Sequence, residues 1–178
     1  MLTPTERKYW RKKFLEKAIE IKNDYSETHY NLGNVLKDLG EIQKAINCFE
    51  KVIQINPDNA DAHNNLGNVF KDYGELNEAI HSYEKAIAID PNLYEAYYNL
   101  GVVFIQLKRF NEAIKSFQNA IEINPNFFDA YNSLGSFAFN HQQFTYPDIT
   151  SESHTILATQ LGHPLLNADK RVDSDLEL

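Results

Sequence analysis

Cysteine is nearly absent from this sequence, because the 178 residues include only Cys48. No disulfide can form within the chain, and the composition gives no reason to expect an oxidising compartment. The sequence also lacks any apolar run near the roughly 18 residues that a membrane span needs. Its beginning, MLTPTERKYWRKK, has no apolar core of the signal-peptide kind. We therefore expect a cytoplasmic protein without a membrane partner.

Basic residues are in the minority. The chain has 17 Lys and Arg against 25 Asp and Glu, which gives a net charge of −8 at pH 7. This balance disfavours binding to phosphate backbones, so we expect no nucleic-acid partner. A basic cluster near the N-terminus is typical of the solvated face of a helix. It comprises Arg7, Lys8, Arg11, Lys12 and Lys13.

A repeat of 34 residues organises most of the chain. Three sets of residues recur at this step: Gly33, Gly67, Gly101 and Gly135; Pro57, Pro91 and Pro125; and Ala45, Ala79 and Ala113. Three full units follow, at residues 26–59, 60–93 and 94–127.

Each unit is predicted to contain two helices, since its apolar residues recur at helical spacing. In the first unit these residues are Leu32, Val35, Leu36 and Leu39, then Ala45, Ile46, Phe49 and Ile53. Gly40 and Gly74 separate the two helices and suit the left-handed conformation that closes a helix, whereas the third unit has Lys108 there at a steric cost. The recurring proline ends each second helix.

The glycine at Gly33 and its equivalents lies inside a helix, where glycine costs about 1 kcal/mol relative to alanine. We interpret it as a close-approach site. The absent side chain is expected to let the second helix lie against the backbone at Ala45, Ala79 or Ala113.

These features together resemble the tetratricopeptide repeat (TPR). The resemblance rests on the spacing, the NLG sequence, the small alanine, the closing proline and an aromatic residue at Phe49, Tyr83 and Phe117. It implies an all-α, right-handed superhelical solenoid of helix-turn-helix units, with about three full units and a half-unit at each end. The NLGN sequence is also similar to the repeat arrays of O-linked N-acetylglucosamine transferases, in which such asparagines hold the substrate chain.

Residues 1–25 match the second helix of a unit and are predicted to cap the array. Ala18 lies 34 residues before Val52. Thr3, Pro4 and Glu6 suit a helix start, with threonine as the cap and glutamate reaching back to it. We expect the side chains of Trp10 and Phe14 to face inward.

Residues 128–144 predict the first helix of an incomplete fourth unit, because Pro147 stands where the small alanine of a second helix is expected. Phe137 and Phe139 would be left partly uncovered unless the tail or another subunit covers them, which raises the possibility of a homodimer. Residues 145–178 form an acidic, non-repeat tail. Its LGHPLLNADKRVDSDLEL segment resembles the stretch before the phosphate loop of MutS-like ATPases, but the loop itself is missing.

No catalytic constellation is found, so we expect no enzymatic activity and no cofactor. His29 and His63 lie one unit apart, but Tyr97 and Tyr131 continue the series, which favours packing over a metal site. Cys48 is expected to be a semi-exposed residue without a reactive thiolate.

A polar stripe runs along the first helix of each unit, at spacings of four, three and four residues. Its members are Glu27, Asn31, Asn34 and Asp38; then Asp61, Asn65, Asn68 and Asp72; then Glu95, Asn99, Val102 and Gln106. The resemblance implies that first helices line the concave side of the superhelix. A ladder of Asn31, Asn65 and Asn99 would then grip the backbone of an extended peptide.

The stripe points to a protein-interaction scaffold with a neutral to basic protein or peptide ligand. An acidic peptide terminus of the kind that chaperone-tail binders capture is disfavoured, since Tyr30, Glu95 and Asn99 stand where cations are expected. Two alternatives stay open: a structural module that self-associates through its unfinished C-terminal end, and a fusion or remnant linked to a MutS-like ATPase.

Overall fold

The computed structural model of the chain describes residues 2–140. The chain divides into two units at residue 137. The described part is entirely helical. Its helices are α1 (Pro4–Ile21), α2 (Ser26–Asp38), α3 (Ile42–Ile55), α4 (Ala60–Tyr73), α5 (Leu76–Ile89), α6 (Tyr94–Gln106), α7 (Phe110–Ile123) and α8 (Phe128–Asn140).

The helices form a TPR-type solenoid, as the sequence predicts. Each first helix packs on the second helix of its own unit, in the pairs α2 with α3, α4 with α5 and α6 with α7. The second helices α3 and α5 also pack on the next first helices, α4 and α6, and α1 packs on α2. The predicted tail at residues 145–178, with Pro147 and the MutS-like segment, lies outside the described residues, as does the end of the segment 128–144 and the side chain of Phe139.

The helix ends follow the predicted chemistry. Gly40 and Gly74 have φ values of 74° and 91°, and Lys108 takes the same left-handed conformation at φ 59°. The second helices end at Ile55, Ile89 and Ile123, two residues before each proline. At the start of α1, Thr3 and Glu6 form the predicted capping box.

The repeated glycine is a close-approach site, and the group nearest to an added Cβ there is an aromatic ring of the second helix. An added Cβ at Gly33, Gly67 or Gly101 would lie 2.9, 2.6 or 2.7 Å from an aromatic ring of the second helix, in the order Phe49, Tyr83 and Phe117. The alanines Ala45, Ala79 and Ala113 are fully buried. The sequence analysis missed the ring, which needs the space above the glycine, and the expected approach of the second helix at the alanine stays a prediction.

The capping helix α1 packs on the array through an apolar and a charged contact. Leu15 and Ile19 pack against the core of the first unit. Lys8 pairs with Asp38 at 3.3 Å, and Lys12 pairs with Glu41 at 2.6 Å. Part of the basic cluster therefore attaches α1 to the first unit.

The inward placement of Trp10 and Phe14 is wrong. Their side chains are 48% and 69% exposed, and their rings stack on each other with centroids 6.0 Å apart. Helical geometry explains the error, since at about 100° per residue the pair 10 and 14 is centred about 140° around the helix from the pair 15 and 19. Leu15 and Ile19 occupy the positions of α1 that face the array.

At the other end, Phe137 is buried and packs against Phe110 with ring centroids 5.1 Å apart. The uncovered surface expected at Phe137 is not found.

Candidate peptide-binding surface

The polar stripe lies on the surface that α2, α4 and α6 share. We call it the first-helix face. The ladder residues Asn31, Asn65 and Asn99 are half-buried, as are Asn34, Asn68 and Val102. The exposed members of the first-helix face are Glu27, Asp38, Asp61, Asp72 and Gln106. Glu95 is half-buried. Since α2 contacts α4 and α4 contacts α6 directly, the three helices lie side by side.

Hydrogen bonds between neighbouring first helices hold the ladder in place. The Asn65 Nδ2 donates to the Tyr30 hydroxyl at 2.7 Å, and the Asn99 Nδ2 donates to the Asn64 Oδ1 at 3.1 Å. The Ser133 hydroxyl, one unit further on, donates to the Tyr98 hydroxyl at 3.5 Å. The donor and the acceptor of each bond are 35 residues apart. Because the repeat has 34 residues, the donor contacts the residue just before its own equivalent in the preceding unit.

These bonds show which part of the ladder is engaged within the protein. One N–H of the Asn65 amide and one N–H of the Asn99 amide donate to the neighbouring first helix, and each side chain keeps a second N–H and its carboxamide oxygen. Asn31 differs, because its Oδ1 accepts a long 3.4 Å bond from Arg11 of the capping helix. The donor and acceptor role of the ladder stays a prediction.

The sequence analysis missed Tyr30 and Asn64 as partners of the ladder. Tyr30 directly precedes Asn31, and Asn64 directly precedes Asn65. Each contacts the ladder residue of the next unit, 35 residues further on, and this offset is the signal that identifies them. Tyr30 is half-buried, and burial raises the pKa of its hydroxyl, while hydrogen bonds with Asn34 and Asn65 act in the opposite direction. Its hydroxyl therefore stays protonated at neutral pH.

Asn68 accepts a hydrogen bond from a buried hydroxyl group. The Tyr83 side chain is fully buried, and its hydroxyl donates to the Asn68 Oδ1 at 2.9 Å. Burial raises the pKa of Tyr83 well above its ordinary value. In the third unit, Phe117 and Val102 occupy the equivalent positions, and neither needs a hydrogen bond. The Asn68 side chain is thus partly structural.

The carboxylates of the first-helix face differ in their partners. Asp38 is paired with Lys8, and Glu27 accepts a hydrogen bond from the Tyr25 hydroxyl at 3.1 Å. Within residues 2–140, no Lys or Arg forms an ion pair with Asp61, Asp72 or Glu95. The second and third units therefore present uncompensated negative charge.

The remaining candidate groups have structural partners. The Nε2 of the buried His29 lies 2.8 Å from the Asn23 carbonyl oxygen, and the Nε2 of His63 lies 3.1 Å from the Pro57 carbonyl oxygen. In the described part of the chain, no cluster of three or more His, Cys, Asp or Glu forms a candidate metal site. Burial, with the nearby Glu16, raises the pKa of Cys48 to about 11.

The repeat models of known families match this region. A TPR repeat model matches residues 33–72 and 67–108, and a tetratricopeptide repeat model matches residues 94–127. Together they cover residues 33–127, just over half of the 178 residues. The chain belongs to the tetratricopeptide repeat family. None of the curated proteins matches this sequence.

Solved TPR structures are similar to this TPR protein over most of its length. A crystal structure of MamA has a TM-score of 0.71 at 23% identity, over 91% of this chain and 95% of that chain. The first TPR domain of Spaghetti (RPAP3), bound to the HSP90 peptide SRMEEVD, has a TM-score of 0.62 at 23% identity, over 65% of this chain and 91% of that one.

YrrB, a TPR protein with an unusual peptide-binding site, has a TM-score of 0.67 at 25% identity, over 73% of this chain and 67% of that one. These likenesses show the fold. Among residues 2–140, no helix combines the length and apolar character that crossing a membrane requires.

Proposed function

We propose that this TPR protein is a protein-interaction scaffold that binds an extended, neutral to basic segment of a partner along the first-helix face. The observation that carries the proposal is the set of inter-repeat hydrogen bonds at Asn65 and Asn99. They hold equivalent polar groups of successive units in one register, which suits a ligand that also repeats along its length. The peptide ligands of similar TPR structures support the same class of function.

The chemistry of the surface favours a ligand that donates hydrogen bonds. One N–H of Asn65 and one of Asn99 are engaged within the protein, which leaves their carboxamide oxygens and a second N–H for a ligand. Asp61, Asp72 and Glu95 add carboxylates, which only accept, without ion-pair partners among the described residues. Backbone N–H groups and the side chains of lysine and arginine match such a surface. An acidic peptide would meet repulsion here.

The direct contacts of α2 with α4 and of α4 with α6 support a continuous surface for this ligand. Successive second helices instead pack mainly on the first helices on either side of them. First helices that approach one another more closely than second helices would lie on the inner side of a curved array.

The test is a comparison of basic, neutral and acidic extended peptides by fluorescence anisotropy at two salt concentrations. We expect basic peptides to bind most tightly and to weaken at high salt. The variant Asp61→Asn/Asp72→Asn/Glu95→Gln should bind them about tenfold more weakly, since each exposed ion pair contributes about 0.2 to 1 kcal/mol.

The matched control is Glu50→Gln/Glu84→Gln/Glu122→Gln, which removes the same charge from exposed positions on second helices. It should bind like the wild type. Equal losses in both variants would show a non-specific charge effect, and tight binding of acidic peptides would contradict the proposal. Substitution of Asn65 is avoided because it also breaks the contact with Tyr30.

A further inference from the structure

The capping helix α1 has a second apolar stripe that the fold does not use. Trp10, Phe14 and Ile21 are 48%, 69% and 79% exposed, and at 100° per residue they lie within a narrow sector of the helix. Leu15 and Ile19, which hold α1 to the first unit, lie on the opposite side. We call Trp10, Phe14 and Ile21, with the flanking Arg7 and Lys13, the outer face of α1.

The repeat shows that this face is not shaped for another TPR unit. Phe14 is equivalent to Ser82 and Ser116, which are 5% and 6% exposed. Ser82 lines a cleft together with Ile53 of the preceding second helix and Leu66 of its own first helix.

A small residue is therefore needed where helices of the standard array close over this position. A phenyl ring there would overpack this contact. It therefore disfavours standard packing of a further helix on α1, including the first helix α8 of a second copy.

The charges of α1 are divided between its two sides. Lys8 and Lys12, toward the array, are paired with Asp38 and Glu41. Toward the outer face, Lys13 Nζ lies 5.4 Å from the centre of the Trp10 ring. Within residues 2–140, no carboxylate pairs with Arg7 or Lys13. Glu6 and Glu16 line the same cleft as Trp10 and Lys13, but Glu6 is engaged in the capping box with Thr3 and Glu16 pairs with Lys12. Arg7 and Lys13 therefore leave the exposed aromatic stripe with a net cationic border.

The positive charge of this border favours one kind of binding partner over the others. Two copies joined through α1 would bring Arg7 and Lys13 toward the same cations of the partner, and the net charge of −8 on each chain adds repulsion. An anionic lipid surface would attract the border but repel the rest of the chain. An acidic segment of another protein complements both the cations and the apolar stripe.

We propose that the outer face of α1 is a second docking surface, which binds an acidic amphipathic helix of a partner protein. Apolar side chains of that helix cover Trp10, Phe14 and Ile21, and its carboxylates meet Arg7 and Lys13. The stripe extends over about three helical turns, or roughly 16 Å, so a partner helix of similar length suffices. This surface is separate from the first-helix face and has the opposite charge preference.

Trp10 is the only tryptophan of the chain, so its fluorescence reports on this face alone. The full chain is titrated with a synthetic amphipathic helix that has leucine on one side and glutamate elsewhere, and with the same peptide carrying lysine for glutamate. We expect a saturable shift of the Trp10 emission to shorter wavelength with the glutamate peptide, and at least tenfold weaker binding of the lysine peptide.

The variant Phe14→Ser/Ile21→Ser keeps Trp10 and gives position 14 the residue of the interior units. It should bind the glutamate peptide at least tenfold more weakly at unchanged helicity by circular dichroism. The control is Phe128→Ser, which removes a 73% exposed ring from α8 and should bind normally.

Four outcomes would overturn the proposal. The glutamate peptide leaves the emission unchanged, or it binds the Phe14→Ser/Ile21→Ser variant as tightly as the wild type. The emission shifts only with vesicles of phosphatidylglycerol and phosphatidylcholine, which would indicate a lipid surface. It shifts with protein concentration alone, together with a doubled mass in sedimentation, which would indicate a second copy.

Discussion

The amide of Asn65 donates a 2.7 Å hydrogen bond to the hydroxyl of Tyr30, across the junction between two successive first helices. The two residues are 35 positions apart. The bond lies in the polar surface to which we assign ligand binding, so the residues that hold the repeats in register also shape the proposed site. The Tyr30 ring packs edge-on against Phe49, with centroids 5.9 Å apart, which fixes the position of the hydroxyl.

Replacement of Tyr30 by phenylalanine should lower the free energy of unfolding by about 0.5 to 1.5 kcal/mol, because the Asn65 amide loses its acceptor in a half-buried position. Urea denaturation followed by circular dichroism measures the change. Tyr97→Phe is the control, since it removes a half-buried hydroxyl from another first helix. Equal effects of the two substitutions would show that the inter-repeat bond makes no specific contribution.

Gly67 and Gly135 occupy equivalent positions of the repeat, but we expect their replacement by alanine to have opposite effects on stability. Gly67→Ala should destabilise the protein by about 1 to 3 kcal/mol, because the new Cβ would lie 2.6 Å from the ring of the buried Tyr83. At Gly135 no described neighbour lies within 4 Å of such a Cβ, so Gly135→Ala should be neutral or stabilise by up to about 1 kcal/mol through helix propensity.

Thermal unfolding of the two alanine variants distinguishes packing from propensity. A loss of stability in both variants would contradict the assignment of Gly67 to ring packing. A gain in both would mean that the Tyr83 ring moves aside without cost.

Lys108 takes the left-handed conformation that glycine provides at Gly40 and Gly74. Lys108→Gly should raise the unfolding free energy by up to about 1 kcal/mol, since the strain of a Cβ at positive φ is removed and only part of the gain is lost to chain entropy. The reciprocal variant Gly74→Ala should lose a similar amount. Chemical denaturation of both tests the pair, and a destabilised Lys108→Gly would show that the lysine side chain makes a compensating contact.

The repeat period, the helix ends and the left-handed turn residues could all be predicted from the sequence, because each depends on local chemistry that recurs three times. The ring above Gly33 could not be predicted in the same way, since the periodicity places both Ala45 and Phe49 on the buried side and does not say which meets the glycine. Apolar character alone does not show that the side chain of Trp10 faces the array. α1 has two apolar sides, and only the contacts of Leu15 and Ile19 decide between them.

For the candidate site, the sequence located the stripe but not its internal bonds. Spacing identifies residues on one face of one helix, such as Asn31 and Asn34. It does not give the offset between neighbouring helices, which depends on how the repeats stack. Tyr30 and Asn64 are partners of the ladder because of that stacking, and they accept one N–H of Asn65 and one N–H of Asn99.

The ion pair between Lys12 and Glu41 should make the attachment of α1 depend on pH. Lys12 and Lys44 lower the pKa of Glu41 through hydrogen bonds, and Glu41 raises the pKa of Lys12. The Glu41 contribution is complete above the ordinary carboxyl value of 4.5 and is lost as the pH falls through the lowered pKa of the folded protein. The Lys12 contribution is complete below the ordinary value of 10.5 and is lost as the pH rises through its raised pKa.

Stability should therefore fall at both extremes of pH, and Glu41→Gln should lose part of both dependences. A double-mutant cycle with Lys12→Met and Glu41→Gln at pH 7 should give a coupling of roughly 0.5 to 1 kcal/mol, in the range for a pair that water partly screens. The control cycle uses Lys17 and Glu20, which form an exposed pair within α1 and should couple more weakly. A Lys12–Glu41 coupling no larger than this control would mean that this ion pair makes no specific contribution to holding α1 on the array.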